Sequence, residues 1–401
     1  MVSLNDIVTA QEKMTGIVHK TPLDYSLTFS EYSDNDIYLK LENLQKTGSF
    51  KVRGSYNKMI SLRKEELKNG VVAASAGNHA QGVAYASRML GIPSTIIMPA
   101  GAPLSKVQAT KEYGANVELK GAVFDEALAY ALDLKDQSGA AFVHAFDDEA
   151  VIAGQGTVGL EIMEQISEVD AIVCPIGGGG LIAGLAAAVK EKNPSIQVYG
   201  VEAAACPSMA QSLLEMEPIT VEASPTMADG IAVKRPGQHT FPLVQRYVDD
   251  MLTVDETEIA RTMLMLLERN KLLVEGSGAV SLAALLNQKL PIKNKKVVPV
   301  ISGGNVDVSF ISRIIERGMV EAGRFMRFNT ILKDKPGNLE KVLQVVTEHQ
   351  GNILDISFSH MGDKIYPSYA QLSISVETRD RHHIEEIIKA LQKKGYSAEL
   401  I

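Results

Sequence analysis

From residue 70 onward, short runs of β-branched and small apolar residues alternate with longer runs whose apolar positions recur at helical spacing. VVAAS precedes NHAQGVAYASRML, STIIMP precedes PLSKVQATKEYG, NVELKG precedes VFDEALAYALDLKDQSG, and AFVHAF closes the series. This alternation predicts a parallel sheet flanked by helices, because a parallel connection needs a crossover long enough to hold one. Gly91 and Gly114 stand where two of these helices would end, as expected of a left-handed residue past a helix terminus. A second αβ series starts near Val151, with DAIVCPIGGGG, LIAGLAAAVKEK, SIQVYGVEA and later KKVVPVISGGN. Residues 206 to 253 are rich in Pro, Gly and Met and predict an irregular, substrate-facing segment. After Arg317 the pattern changes to strand, helix, strand, strand, helix, strand, the split βαβ order of a ferredoxin-like α+β module. The fold class is therefore α/β, two parallel-sheet αβα subdomains followed by a small α+β unit.

One segment could be mistaken for a membrane span. AIVCPIGGGGLIAGLAAAV, residues 171 to 189, carries no charge over a length that could cross a bilayer. Pro175 and the four glycines interrupt it, so it predicts a buried strand, a tight loop and a buried helix. Of the 401 residues 45% are apolar and 22% charged, values of an ordered globular chain too long for one core. The formal net charge of −8 disfavours a nucleic-acid partner, which selects for a basic face, and points to small molecules. Cys174 and Cys206 lack the spacing of a zinc site and read as core thiols. The first 13 residues contain no apolar signal core, which places the expected location in the cytoplasm.

Several loops carry candidate chemistry. GQGTVG, residues 154 to 159, matches the dinucleotide fingerprint, but no strand delivers it and the next strand ends in glycine where an acid is needed; it reads as a helix-opening turn. GGGG, residues 177 to 180, does follow a strand and opens an apolar helix at Leu181. Backbone N–H groups without Cβ atoms beside them can approach an anion there, and the helix N-terminus adds positive charge. No GK[ST] follows, so a phosphate-bearing cofactor fits better than a nucleotide; a turn crowded for packing is the alternative. SAGNHAQG, residues 75 to 82, repeats the strand, turn and helix arrangement and could hold a carboxylate through N–H groups and Ser75. SGGN, residues 302 to 305, puts Ser302 at a strand's C-terminal end, where open α/β sheets gather ligands. In GSFKVRG, Lys51 is either a solvated charge or a functional amine.

Together these pieces resemble the pyridoxal-phosphate enzymes of the tryptophan-synthase β type (fold type II), and within them the threonine/serine dehydratases. SFKVRGSYNK resembles the cofactor-lysine motif, SAGNHAQG the substrate loop, GGGGL the phosphate loop and SGGN the pyridine-nitrogen loop. The resemblance implies that Lys51 bonds the cofactor's aldehyde and acts as base, and that Phe50 lies against the ring. Asn78 would meet the 3′-oxygen, Gly177, Gly178, Gly179, Gly180 and Leu181 the phosphate, and Ser302 the ring nitrogen. A hydroxyl at that nitrogen does not keep the pyridine protonated, which suits β-elimination. Ser75, Ala76, Gly77, Asn78 and His79 would surround the substrate carboxylate. Ala76 stands where racemases of the family carry a serine as second acid/base, so elimination is favoured over racemisation. Ser208 occupies a place where a second carboxylate beside Glu202 would complete a divalent-ion site, so no metal is assigned.

The C-terminal module resembles an ACT domain, with Gly337 and Asn338 at the loop that binds an amino-acid effector in such domains. The implied organisation is a catalytic domain over residues 1 to 320 and the ACT module over 321 to 401. Within the former, a small subdomain takes about 48 to 150 and a large one 1 to 47 plus 151 to 320. The implied protein is a homotetrameric lyase that converts L-threonine to 2-oxobutanoate and ammonia and responds to isoleucine or valine. The alternatives are a serine-preferring dehydratase that yields pyruvate and a non-catalytic amino-acid sensor.

Overall fold

A computed structural model describes residues 1 to 360 and 365 to 401, without the side chains of Val308 and Ser309. The chain divides into two compact units, Met1–Val308 and Ser309–Ile401. The division falls after the first residue of the helix Val308–Glu321.

The first unit holds two parallel sheets. The smaller has the spatial order Asn116–Leu119, Ser94–Met98, Val71–Ala74, Ala141–Phe142, every pair parallel. The larger runs Leu23–Tyr25, Asp36–Leu41, Lys296–Ile301, Ala171–Pro175, Gln197–Ala203, Asp250–Val254, and only Leu23–Tyr25 is antiparallel. Helices cover both faces of a parallel sheet, so its central strands must be apolar throughout. Ala171–Pro175 is accordingly buried at every position. Strands Leu23–Tyr25, Asp36–Leu41 and Asp250–Val254 lack that uniform pattern and were not evident from the alternation. Asp36–Leu41 contains a lysine, Lys40, which is fully buried. Residues 206 to 253 are also more regular than expected, with helices Ser208–Glu215 and Thr240–Tyr247.

GQGTVG is neither a fingerprint nor a turn. It lies within the helix Glu149–Gln165. Its glycines serve contact between helices: a Cβ on Gly154 would lie 2.7 Å from Gly54 Cα, and one on Gly156 2.8 Å from the Gly184 carbonyl. Helix Glu149–Gln165 therefore packs backbone to backbone on both Lys51–Ser61 and Gly180–Lys192. Cys174 and Cys206 are buried free thiols.

The second unit is the expected ferredoxin-like module. Its antiparallel sheet has the order Asn352–Ser359, Tyr369–Glu377, Phe325–Lys333, Glu399–Leu400, with helices Asn338–Glu348 and Arg381–Lys393 in the connections. Burial alternates along Phe325–Lys333 because only one face of this sheet packs on a core, built from Phe328, Val342, Leu372 and Ile387 among others. Among the described residues no helix is long and apolar enough to cross a membrane.

Candidate active site

Lys51 opens the helix Lys51–Ser61, and the turn before it is tied to the loop after strand Lys296–Ile301. The Phe50 N–H donates to the Ser302 carbonyl at 3.2 Å, the Gly304 N–H donates to the Gly48 carbonyl at 2.9 Å, and Ser49 bridges Gly303. Gly48 has φ +72°, and a Cβ there would collide with the Asn305 amide. The lysine turn and the SGGN loop are thus one structure. Lys51 Nζ donates to the Ala145 carbonyl at 2.9 Å and lies 5.2 Å from the centre of the Phe50 ring. Burial lowers its pKa to about 8, against the opposing charge of Glu275.

The acceptor of Lys51 belongs to a connecting segment, residues 143 to 148, that also touches His79 and the glycine loop. His144 Nδ1 accepts from the N–H groups of Phe146 (3.2 Å) and Asp147 (2.8 Å) and so shapes the turn. Asp147 accepts from the N–H groups of Gln238 (2.9 Å) and His239 (2.7 Å). Asp148 caps the helix Glu149–Gln165 and pairs with Lys58 at 2.6 Å.

Phe146 sits against the glycine loop. A Cβ on Gly178 would come within 2.4 Å of its ring, and one on Gly179, at φ +95°, within 2.8 Å of Met209 Cε. The crowding read as an alternative to anion binding is therefore present. It coexists with open donors: among the described residues, none accepts from the N–H groups of Gly177, Gly178, Gly179 or Gly180. They stand at the start of the 13-residue helix Gly180–Lys192, which has no side-chain cap. The Thr240 hydroxyl donates to the Gly178 carbonyl at 2.6 Å and holds the loop. Four uncommitted donors at a helix N-terminus suit a phosphate. Leu181 turns its side chain into the core.

The Asn78 loop is the half-exposed interval between a buried strand and a buried helix. Ser75 Oγ accepts from the Gly77 N–H at 3.1 Å, nothing stands where a Cβ on Gly77 would be, and Ala76 shares the half-exposed interval. The side chain of Asn78 is oriented from both ends: its Nδ2 donates to Glu275 Oε1 at 2.6 Å and its Oδ1 accepts from Asn305 at 2.8 Å. His79 faces elsewhere. It is 3% exposed, its Nε2 lies 2.8 Å from the Val143 carbonyl, and burial, aided by Lys51, lowers its pKa to about 3. A neutral ring bonded to the strand end positions segment 143 to 148 and is not offered to a substrate. Ser302 is buried at the end of its strand with a long 3.4 Å bond to the Ser277 carbonyl, which leaves its hydroxyl weakly engaged.

Glu275 escaped the sequence reading. It precedes the helix Gly276–Leu286, and its N–H donates to the Gly303 carbonyl at 3.1 Å. Burial first, and then the charge of Asp229, raise its carboxyl pKa. The available signal was an acid directly before GSG at a helix start. Because the charge of Glu275 holds the Lys51 pKa up, Glu275→Gln is expected to move the Lys51 midpoint further down. Mass-spectrometric labelling of Lys51 with acetic anhydride across pH 6 to 10 measures it; an unchanged midpoint contradicts this coupling.

Glu202 does not present an open carboxylate. Its oxygens accept from the N–H groups of Met209 (2.8 Å) and Ala210 (2.9 Å), while Ser208 Oγ donates to the Val233 carbonyl at 2.6 Å. In the second unit, Gly337 has φ +85° and Asn338 Nδ2 donates to the Lys333 carbonyl at 3.0 Å, so Asn338 braces its own loop. A groove along the helix Asn338–Glu348 is lined by Gly337, Leu339, Glu340, Leu343, Gln344 and Thr347.

Comparison with known proteins shows the family of the chain. Residues 14–303 match the model of the pyridoxal-phosphate dependent enzyme family, and residues 326–394 match an ACT domain. The chain is 51% identical over 401 residues to an L-threonine ammonia-lyase of Thermotoga maritima, with 100% of both chains covered. Among solved structures it resembles the processed form of threonine deaminase isoform 2 from Solanum lycopersicum (TM-score 0.75, 38% identity, 78% of this chain and 92% of that one). It equally resembles maize serine racemase (TM-score 0.75, 36% identity, 80% and 98%).

Proposed function

Because the chain belongs to the pyridoxal-phosphate dependent enzymes and ends in an ACT domain, we propose that it converts L-threonine to 2-oxobutanoate and ammonia under control of an amino acid bound by that domain. The observation that carries this reading is the convergence of Lys51, the Ser302 loop and the open glycine N–H groups. The residues present fit the cofactor: an anion cradle without a protein occupant, a weakly engaged hydroxyl and a half-buried amine. When bound, the cofactor supplies an electron sink that acidifies the substrate's Cα–H.

The protein's own groups do the rest. Gly177 to Gly180 would donate to the phosphate, Ser302 would meet the ring nitrogen without imposing a charge on it, and Asn78, fixed by Glu275 and Asn305, would meet the 3′-oxygen. Ser75 and the N–H groups at the uncapped start of the Asn78 helix receive the substrate carboxylate. Lys51, with a pKa near 8 and not near 10, accepts and returns a proton close to neutral pH. Loss of the β-hydroxyl as water and later hydrolysis release 2-oxobutanoate and ammonia. Phe50 lies beside the Lys51 amine and Phe146 packs against the glycine loop. Ala76 offers no proton donor, which favours elimination over racemisation despite the likeness to a racemase.

The test is a saturation curve for L-threonine and for L-serine, with and without isoleucine and valine, assaying 2-oxo acid, ammonia and D-amino acid. The specificity constant is expected to be higher for threonine, with little D-product and an effector-dependent curve. Preference for serine replaces the substrate assignment, since one methyl discriminates by only about 1–3 kcal/mol. Absence of both oxo acids leaves the sensor reading. The proposal extends to a cytoplasmic homotetramer serving isoleucine biosynthesis or threonine catabolism.

A further inference from the structure

Two residues beyond Lys51, Arg53 lies at the centre of a fully buried group of four charges. Arg53, Lys40 and Glu42 are 0% exposed and Glu161 is 5% exposed. The guanidinium forks two carboxylates at once. Its Nε and Nη2 donate to Glu42 at 2.8 Å each, and Nη1 and Nη2 donate to Glu161 at 2.6 and 3.0 Å. Nη1 also reaches Thr157 Oγ1 at 3.2 Å, and Nη2 the His19 carbonyl at 3.2 Å. Lys40 uses all three of its donors, on Glu161 (2.7 Å), Gln165 (2.9 Å) and the Thr21 carbonyl (2.9 Å). Two positive charges answer two negative ones and the cationic donors are satisfied, so the arrangement is rigid as well as neutral.

None of these groups touches the site, yet each belongs to an element that surrounds it. Glu42 follows the strand Asp36–Leu41 and leads into the turn that carries Lys51; Glu161 lies on the helix crossing the Lys51 helix at Gly54 and Gly154. The backbone of Lys51 is confined on its other side by the Asn78 helix, since a Cβ on Gly82 would lie 3.0 Å from the Lys51 carbonyl carbon. The first turn of the Lys51 helix therefore has close backbone packing on two sides and a bidentate clamp on the third. Only a planar fork with five donors can bridge two carboxylates in this way; an ammonium cannot.

We propose that Arg53 is the positioning residue for Lys51, and that the double fork to Glu42 and Glu161 fixes where the catalytic amine stands. The inference rests on the proposed role of Lys51 as the cofactor-bonding base. It concerns a residue that makes no contact with substrate or cofactor and acts only through the helix it anchors.

The experiment compares the wild type with Arg53→Lys, which keeps the charge and loses the fork. A cavity of about 340 Å³ borders Arg53, Thr157 and Glu161, so water can enter to solvate the shortened contact. Val254→Ala, a core truncation in Asp250–Val254, the edge strand of the larger sheet farthest from Asp36–Leu41, serves as the stability control. Three quantities are read: the pH midpoint of Lys51 acetylation in cofactor-free protein, the absorbance spectrum with pyridoxal phosphate, and kcat and KM for threonine.

In Arg53→Lys the acetylation midpoint is expected to rise, because a displaced amine regains water. kcat should fall by roughly 10- to 100-fold, the scale of an ångström misplacement, with KM changed less. Val254→Ala should lower the melting temperature and leave midpoint and spectrum unmoved. If Arg53→Lys also changes only the melting temperature, the cluster is structural and the inference is overturned. Should Arg53→Lys fail to fold, Thr157→Val removes one bond to the guanidinium and must move the midpoint in the same direction; an unmoved midpoint there overturns it too. A wild type that binds no pyridoxal phosphate refutes the function and leaves the acetylation comparison standing.

Discussion

Lys51→Ala should give a folded protein that no longer acquires the near-visible band of covalently held pyridoxal phosphate and that loses threonine turnover by at least about 10³-fold, as expected when base and covalent anchor vanish together. The fold should survive because Lys51 contributes one hydrogen bond, to the Ala145 carbonyl, and helix Lys51–Ser61 is held by other contacts. The pH dependence gives a sharper form of the prediction. In the cofactor-free folded protein Lys51 titrates near 8, below the value of 10.5 for a solvated lysine. A lysine with a depressed folded pKa opposes folding while it is charged, most fully below about pH 8, and the penalty disappears as pH approaches 10.5. Cofactor-free Lys51→Ala should therefore melt at or above the wild-type temperature at pH 7, with the difference closing above pH 10. A band that persists in Lys51→Ala, checked by absorbance after gel filtration, would assign the covalent bond to another lysine.

The second large effect is expected at Gly178. Gly178→Ala places a Cβ 2.4 Å from the Phe146 ring. The ring cannot withdraw freely, because the neighbouring Asp147 is bonded to the N–H groups of residues 238 and 239 and Ala145 to Lys51. The glycine loop must shift instead, at about 1–3 kcal/mol of overpacking, and its free N–H groups shift with it. Pyridoxal phosphate should then dissociate at least about tenfold more readily, the scale of one 1.4 kcal/mol step. Equilibrium dialysis together with thermal melting measures both effects. Unchanged affinity with a lowered melting temperature would show that the glycines serve packing alone. The backbone that packs on Phe146 also carries the uncommitted N–H groups, so a shift of one moves the other.

Much of this site was legible because its parts are local. A strand end, a glycine turn and a helix start are contiguous in the chain, and their residue types record the backbone geometry they require. Thus the loops holding Ser75, Gly177 and Ser302 were located from short stretches, as were the βαββαβ order of the second unit and the two core thiols. Other features lay beyond that reach. Glycine cannot say which neighbour it makes room for, and in GQGTVG the neighbours were the backbones of two other helices, not a nucleotide. His79 shares a turn with Asn78 but bonds to the Val143 carbonyl, a choice made by the packing of a helix on a strand end. The strand Asp36–Leu41 was hidden because a lysine interrupts its apolar pattern.

The sequence by itself determined the class of chemistry: an amine beside an aromatic, glycine-rich turns at strand ends, and a C-terminal module of a different architecture. Tertiary structure alone decided how that amine is tuned and held. Glu275 meets Asn78 across 197 residues, and Glu161 meets Arg53 across 108. Ala145 reaches Lys51 from 94 residues away. Local periodicity and propensity act over a few residues, whereas desolvation and paired charges depend on which distant groups the closed fold brings within a few ångströms. The identity of the lysine is written in its neighbours along the chain. Its pKa and position are set by neighbours that exist only once the chain has folded.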